Sequence, residues 1–181
     1  VNYASDTTEA VPGANLTVAR RGPGASGSRE NGLPFAGPPI ETPSPGTTPS
    51  ITPIGFDTGY FAGGFDSSTV STMDKTTYST DTTAAVPGAN LTQARYGAAG
   101  TGNQTHGYFG GGNSNGIIGT KMDKTTYSTD TTAQVPGADL RIARYNAAAT
   151  GNSTQGYFAG GYEPGPPAGP RSSVDKVTYS S

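Results

Sequence analysis

The chain repeats itself, and no other property narrows its possible folds as much. Residues 73–89 read Met-Asp-Lys-Thr-Thr-Tyr-Ser-Thr-Asp-Thr-Thr-Ala-Ala-Val-Pro-Gly-Ala, and residues 122–138 repeat the run with Gln134 in place of Ala85. A diverged copy lies at Asp6-Thr7-Thr8-Glu9-Ala10-Val11-Pro12-Gly13-Ala14, and a fourth start runs from Val174 to Ser180. A period near 49 residues means that one supersecondary unit is stacked on itself. No unit of this kind is expected to bury its apolar face alone.

Composition decides what kind of unit this is. Val, Ile, Leu and Phe number only 24 of 181 residues, while Gly and Pro number 28 and 15. Turns are therefore frequent and long helices are not expected. The net charge of −2 lacks the excess that marks disordered chains, and Thr and Tyr suit strands. The expectation is an ordered all-β protein with a thin core. The same charge balance offers no electrostatic footprint for nucleic acid or an anionic membrane, and no apolar run is long enough to span a bilayer. With no cysteine, disulfides and thiolate chemistry are excluded, so stability is expected from stacking or assembly. The lack of an initiator Met and of a signal-like segment fits a processed product or a piece of a longer chain.

One unit reads as three or four short strands. In the last copy the first is expected from Ile142 to about Ala149, the chain turns at Gly151-Asn152, and the second runs from Gly156 to about Ala159. Gly160-Gly161 ends it, and the third runs from Asp175 to Tyr179. In the preceding copy a fourth covers about Thr131 to Val135. Val-Pro-Gly-Ala, at 11–14, 86–89 and 135–138, reads as a type II turn with Gly at the left-handed position. Period-2 alternation places Asp123, Thr125 and Tyr127 on one face of the third strand. The first strand (Tyr96-Gly97-Ala98-Ala99-Gly100) has almost no side-chain bulk and suits a place where sheets crowd together.

These landmarks resemble a kelch-type β-propeller blade. The Arg before the first strand is Arg20, Arg95 or Arg144. The doublet after the second is Gly63-Gly64, Gly111-Gly112 or Gly160-Gly161. The Tyr on the third is Tyr78, Tyr127 or Tyr179, with Tyr3 in the leading partial copy. The resemblance covers nearly the whole chain except residues 22–57. It departs from the family in having no Trp after the third strand; Val11, Val86 and Val135 lie near that place, which implies lighter packing between blades. The run Tyr-Ser-Thr-Asp-Thr-Thr-Ala-x-Val-Pro-Gly-Ala, followed by Ala-Arg-Tyr and Gly-Tyr-Phe-Gly-Gly-Gly, is also similar to kelch-like repeats in structural proteins of marine T4-like cyanophages. That resemblance implies a virion surface or tail component.

The tyrosines at 3, 78, 127 and 179 are separated by 75, 49 and 52 residues, which makes three blades plus an extra N-terminal strand. Propellers usually close with four to eight blades, so the chain is expected to assemble with itself, with further repeats or with neighbouring proteins. The long first interval comes from a Pro/Gly-rich insertion within residues 22–57. Phe35, Ile40, Ile51, Ile54 and Phe56 are candidate contacts to a neighbouring subunit if this segment acts as an arm; a floppy loop is the alternative.

Chemistry is sparse. The lone His106 has Gln155 at the same place in the next copy, which suits a turn better than a catalytic base. Asp74-Lys75 and Asp123-Lys124 point to opposite faces of a strand and are expected in cross-strand or inter-blade ion pairs, while the recurring arginines are expected to reach backbone carbonyls between blades. The glycine runs lack the Lys-Ser/Thr of a phosphate loop, and Asp81-Thr82-Thr83 and Asp130-Thr131-Thr132 lack calcium-loop spacing. No cofactor or metal is expected. The leading expectation is a non-enzymatic structural or adhesive protein of an extracellular assembly such as a virion, displaying the variable stretches 65–72, 113–121 and 162–173 toward a host glycan or protein. The alternative is a carbohydrate-active enzyme on a kelch-type propeller. A galactose-oxidase-like site is excluded by zero Cys and one His.

Overall fold

Short runs of Thr, Tyr and small residues, punctuated by glycine, build strands of two to nine residues and no α-helix in the described chain. The computed structural model describes residues 10–27 and 58–179. Within them the protein is all-β and forms three consecutive antiparallel modules. Module 1 joins β1 (Gly24–Gly27), β2 (Thr58–Phe65), β3 (Thr69–Thr77) and β4 (Thr82–Ala85) in that order. Module 2 joins β5 (Ala99–Gly102) and β6 (His106–Gly110) to β9 (Met122–Thr126) and β10 (Thr131–Gln134). Between β6 and β9 lies a small ribbon of β7 (Asn113–Ser114) and β8 (Ile117–Ile118). Module 3 joins β11 (Ala148–Gly151), β12 (Gln155–Ala159) and β15 (Val174–Thr178), with a ribbon of β13 (Tyr162–Glu163) and β14 (Gly169–Pro170). Among the described residues module 3 has no fourth strand. No helix there is long and apolar enough to cross a membrane.

The core lies between modules. One cluster combines Tyr60, Ala62 and Met73 of module 1 with Phe109 and Tyr127 of module 2, closed by Ala89 and Leu91 of the linker. The second repeats the scheme with Tyr108 and Met122, then Phe158, Val177 and Tyr179, and linker Leu140. This is the behaviour expected of a repeat whose unit cannot bury its own face. The packing that the absent Trp leaves undone falls to these leucines and to tyrosine pairs; Val86 only flanks the first cluster, and Val11 is exposed.

The innermost strands β1, β5 and β11 pack side by side at backbone distance. A Cβ at Gly100 would lie 2.0 Å from the Ala25 carbonyl oxygen, so the lack of bulk in these strands is a steric requirement. The expected alternation also holds: Asp123, Thr125 and Tyr127 are buried while Lys124 and Thr126 are partly exposed.

Three local readings need correction. The first strand of module 3 begins at Ala148 rather than Ile142. The preceding residues form a connection instead: Leu140 fills the inter-module core, Arg144 turns into its own sheet, and Asn146 takes φ +55°. The Val-Pro-Gly-Ala runs are not type II turns. They form 3-10 turns at Pro12–Ala14, Pro87–Ala89 and Pro136–Ala138, with Ala89 and Ala138 donating to Val86 and Val135 carbonyls, and none of their glycines has positive φ. Finally, β1 lies inside the Pro/Gly-rich span 22–57. It aligns with β5 and β11, so the extra residues fall within 28–57.

Candidate functional site

The recurring Arg of each unit and the Asp of its third strand form one buried pair per module. Arg20 Nη1 lies 2.9 Å from Asp74, with both side chains fully buried. Arg95 reaches Asp123 at 3.1 Å, and Arg144 reaches Asp175 at 3.2 Å. The same guanidiniums donate to carbonyls in, or just after, their own second strand: Arg20 to Phe61, Arg95 to Phe109, Arg144 to Gly160. The expected arginine–carbonyl bonds therefore exist, but within modules. The aspartates, expected in cross-strand or inter-blade ion pairs, are buried and paired within their own modules. Their remaining oxygen capacity is satisfied by Thr17 and Thr92, through amide and hydroxyl, and in module 3 by Arg141. Burial pushes the Arg95 guanidinium down, and Asp123 opposes that shift. Such a constellation locks the sheet to the strand-like connection before it.

The junctions between modules use the remaining landmarks. Tyr60 stacks on Tyr127 at 4.8 Å, and Tyr108 stacks on Tyr179 at 4.6 Å. The hydroxyl of Tyr127 meets Ser26 at 2.9 Å, and that of Tyr179 meets Thr101 at 3.0 Å, so each inner strand holds the tyrosine of the next module. In the glycine doublets, Gly63 and Gly111 have φ of +64° and +70°. This lets the Gly64 and Gly112 amides donate to the carbonyls of Arg95 and Arg144 in the following linkers.

Asp130 completes the first junction. It takes φ +49° at the turn before β10, accepts the Tyr60 hydroxyl at 2.6 Å, and pairs with Lys75 at 2.9 Å. Lys75 thus makes the expected inter-module pair. Burial and the Asp130 carboxylate push the Tyr60 hydroxyl far above the ordinary tyrosine range, and burial does the same to Tyr127. Local sequence gave no sign that this Asp is an acceptor for another module; the signal was its invariance between the two long copies, at Asp81 and Asp130.

The variable stretches leave each module at the same end. At that end runs a row of rings: Phe65 to Tyr96 at 5.8 Å, Tyr96 to Tyr145 at 6.0 Å, and Tyr145 to Tyr162 at 5.7 Å, all edge to face. Arg21, at the position of Tyr96 and Tyr145, lies 4.5 Å from the Phe65 ring centroid. Thr69 ties the first loop to Asn115 of the second. Ile117 and Tyr162 project from the second and third loops and are 74% and 40% exposed. These aromatic positions were not singled out in the sequence as a group, because Arg21 hides their period.

His106 opens β6, bonded through Nδ1 to the Thr105 hydroxyl; partial burial and Lys124 lower its pKa. No group of three or more metal-ligating side chains occurs among the described residues. The candidate arm residues Phe35, Ile40, Ile51, Ile54 and Phe56 lie outside the described residues. No protein-family model matches the chain, and no curated protein matches it.

Proposed function

We propose that the protein is a non-enzymatic structural and adhesive component of an extracellular assembly, built of kelch-like propeller blades and displayed on a virion surface or tail appendage. The observation that carries the adhesive half is the edge-to-face row Phe65–Tyr96–Tyr145–Tyr162 at the end that carries three loops of unrelated sequence. Loops that vary on a repeated scaffold are suited to recognition, and half-buried rings that end in the exposed Tyr162 suit the apolar faces of sugars or a host protein. The kelch-like reading rests on the Arg, Gly-Gly and Tyr landmarks, each of which has a defined task at or within a module. The virion setting rests on the sequence resemblance alone.

The test is binding of the labelled chain to a glycan panel and to candidate host cells, with Tyr162→Ala and Ile117→Ser as variants. Saturable binding that both substitutions weaken, without loss of fold, is the expected result. Equal binding by wild type and variants would remove the loop surface from consideration. A glycosidase screen on the same panel addresses the enzyme alternative: turnover of any glycan there would replace the adhesive reading.

A further inference from the structure

The two inter-module junctions are built from matched parts but finished differently. In the first, the Tyr60 hydroxyl donates to Asp130. In the second, the hydroxyl of Tyr108, a residue 2% exposed, has no hydrogen-bond partner among the described residues. A buried unsatisfied hydroxyl is costly and native structures rarely keep one. Its missing acceptor is defined by the repeat: an Asp three residues after the module's third-strand tyrosine, opening the fourth strand. Module 3 has no such strand among its described residues. Where β4 and β10 lie in modules 1 and 2, it has a groove of about 590 Å³ between Gly137–Arg141 and β15. Ala89, under β10, is fully buried, whereas its counterpart Ala138 is partly exposed.

The chain holds three copies of the strand that fits this groove. Two, at 81–85 and 130–134, are already paired as β4 and β10 and the turns before them. The third is Asp6-Thr7-Thr8-Glu9-Ala10. The 3-10 turn that follows it, Pro12–Ala14, packs against β4, just as Pro87–Ala89 packs against β10. The turn that follows the run thus lies on the module 1 side, away from the groove on module 3.

A second, independent observation concerns the core. The first cluster pairs Tyr60, Ala62 and Met73 with Leu91, Phe109 and Tyr127, all buried. Moving one module further, the same six positions are Tyr157, Ala159 and Val174 on module 3, and Leu16, Phe61 and Tyr78 on module 1. All six are partly or largely exposed, with Val174 at 52% and Tyr78 at 50%. They are the two halves of a third cluster, carried at opposite ends of one molecule.

We infer that a second copy of this chain docks head-to-tail on module 3, its residues 6–10 forming the fourth strand on β15 and its Asp6 accepting the Tyr108 hydroxyl. The register follows Asp74↔Ala85 through Thr77↔Thr82: Asp175 faces Ala10, Lys176 faces Glu9, Val177 faces Thr8, and Thr178 faces Thr7. Lys176 opposite Glu9 adds charge complementarity that the Ala84 and Ala133 positions lack. The docked Thr8 hydroxyl reaches the Ala138 carbonyl, as Thr132 reaches Ala89. Tyr78 of the incoming copy stacks on Tyr157. The arrangement leaves the loop surface free. It deepens the structural half of the proposed function and does not depend on the adhesive half, so failure of either leaves the other standing.

The absence of native cysteine makes the register directly testable. Thr8→Cys chains are mixed with Val177→Cys chains and oxidised, with Lys176→Cys, whose side chain points to the other face, as the control. A disulfide-linked pair in the first mixture and not in the control is expected, because the matching Thr76 and Thr83 hydroxyls lie 2.7 Å apart. No mixed disulfide, or a disulfide closed within one chain in the Thr8→Cys/Val177→Cys double variant, would overturn the inference. Sedimentation of variants with conservative changes supplies the second measurement. Asp6→Ala and Tyr108→Phe are each expected to weaken self-association roughly tenfold, with no further loss in the double variant. Unchanged association in both single variants would overturn the Asp6–Tyr108 contact.

Discussion

The junction between modules 1 and 2 and the junction between modules 2 and 3 share the stacked tyrosines, the hydroxyl on the inner strand and the glycine-doublet amide bond. They differ in one carboxylate. Asp130 satisfies both Tyr60 and Lys75, while the Tyr108 hydroxyl has no acceptor among the described residues. The difference teaches that a fourth strand does two jobs here. It extends its own sheet, and the turn residue just before it finishes the polar contacts of the preceding module. A module is therefore complete only when its successor is complete.

The comparison can be broken most severely from inside a module. Asp123→Ala removes one partner of a fully buried pair and leaves Arg95 uncompensated, so a loss of about 3–5 kcal/mol is expected in chemical denaturation. A loss smaller than that of any junction variant would mean that junctions, and not modules, dominate stability. Next, Asp130→Ala turns the first junction into a likeness of the second, at an expected cost of about 1–3 kcal/mol for the stranded Tyr60 hydroxyl. Tyrosine-to-phenylalanine changes sharpen the contrast further. Tyr60→Phe is expected to cost about 1 kcal/mol, whereas Tyr108→Phe, measured in dilute monomer, is expected to be neutral or slightly stabilising. Equal losses would mean that the two hydroxyls have equivalent surroundings.

The smallest expected effect is one of pH. Burial and Lys124 depress the His106 pKa below its ordinary value of 6.5, so between the two values the unfolded chain binds more protons. Stability is full above pH 6.5 and declines as pH falls through that value toward the folded pKa. His106→Gln, which copies Gln155 of module 3, is expected to remove this decline in denaturation midpoints taken from pH 8 to pH 5. A persistent decline in the variant would assign it to the carboxylates.

Much of this architecture was readable because it is local or periodic. The small residues of Tyr96–Gly100, the doublets at Gly63, Gly111 and Gly160, and the alternation of Asp123, Thr125 and Tyr127 each report their own backbone or face. The arginine–aspartate pairs were not readable in that way. Arg20 and Asp74 are 54 residues apart, and neither residue's neighbours reveal burial. The available clue was that one Arg and one Asp recur together in every copy, as expected for charges that neutralise one another. The first-strand boundary is hidden for a related reason: apolar Ile142 suggests a strand start, but it lies in a connection whose Leu140 serves the contact between modules. The ring row escaped notice because one of its positions is occupied by Arg21.

The clusters buried between modules hold tyrosine rings, two methionines and small residues, and ten polar or charged residues are buried with them among the described positions. Unfolding exposes both kinds of surface, and their hydration changes heat capacity in opposite directions. A molecule sealed by stacked rings, hydroxyls and ion pairs should show a heat-capacity increment per residue below the usual range of about 12–15 cal/mol/K. Its stability curve is then shallow, so calorimetry should find cohesion changing little over a wide span of temperature.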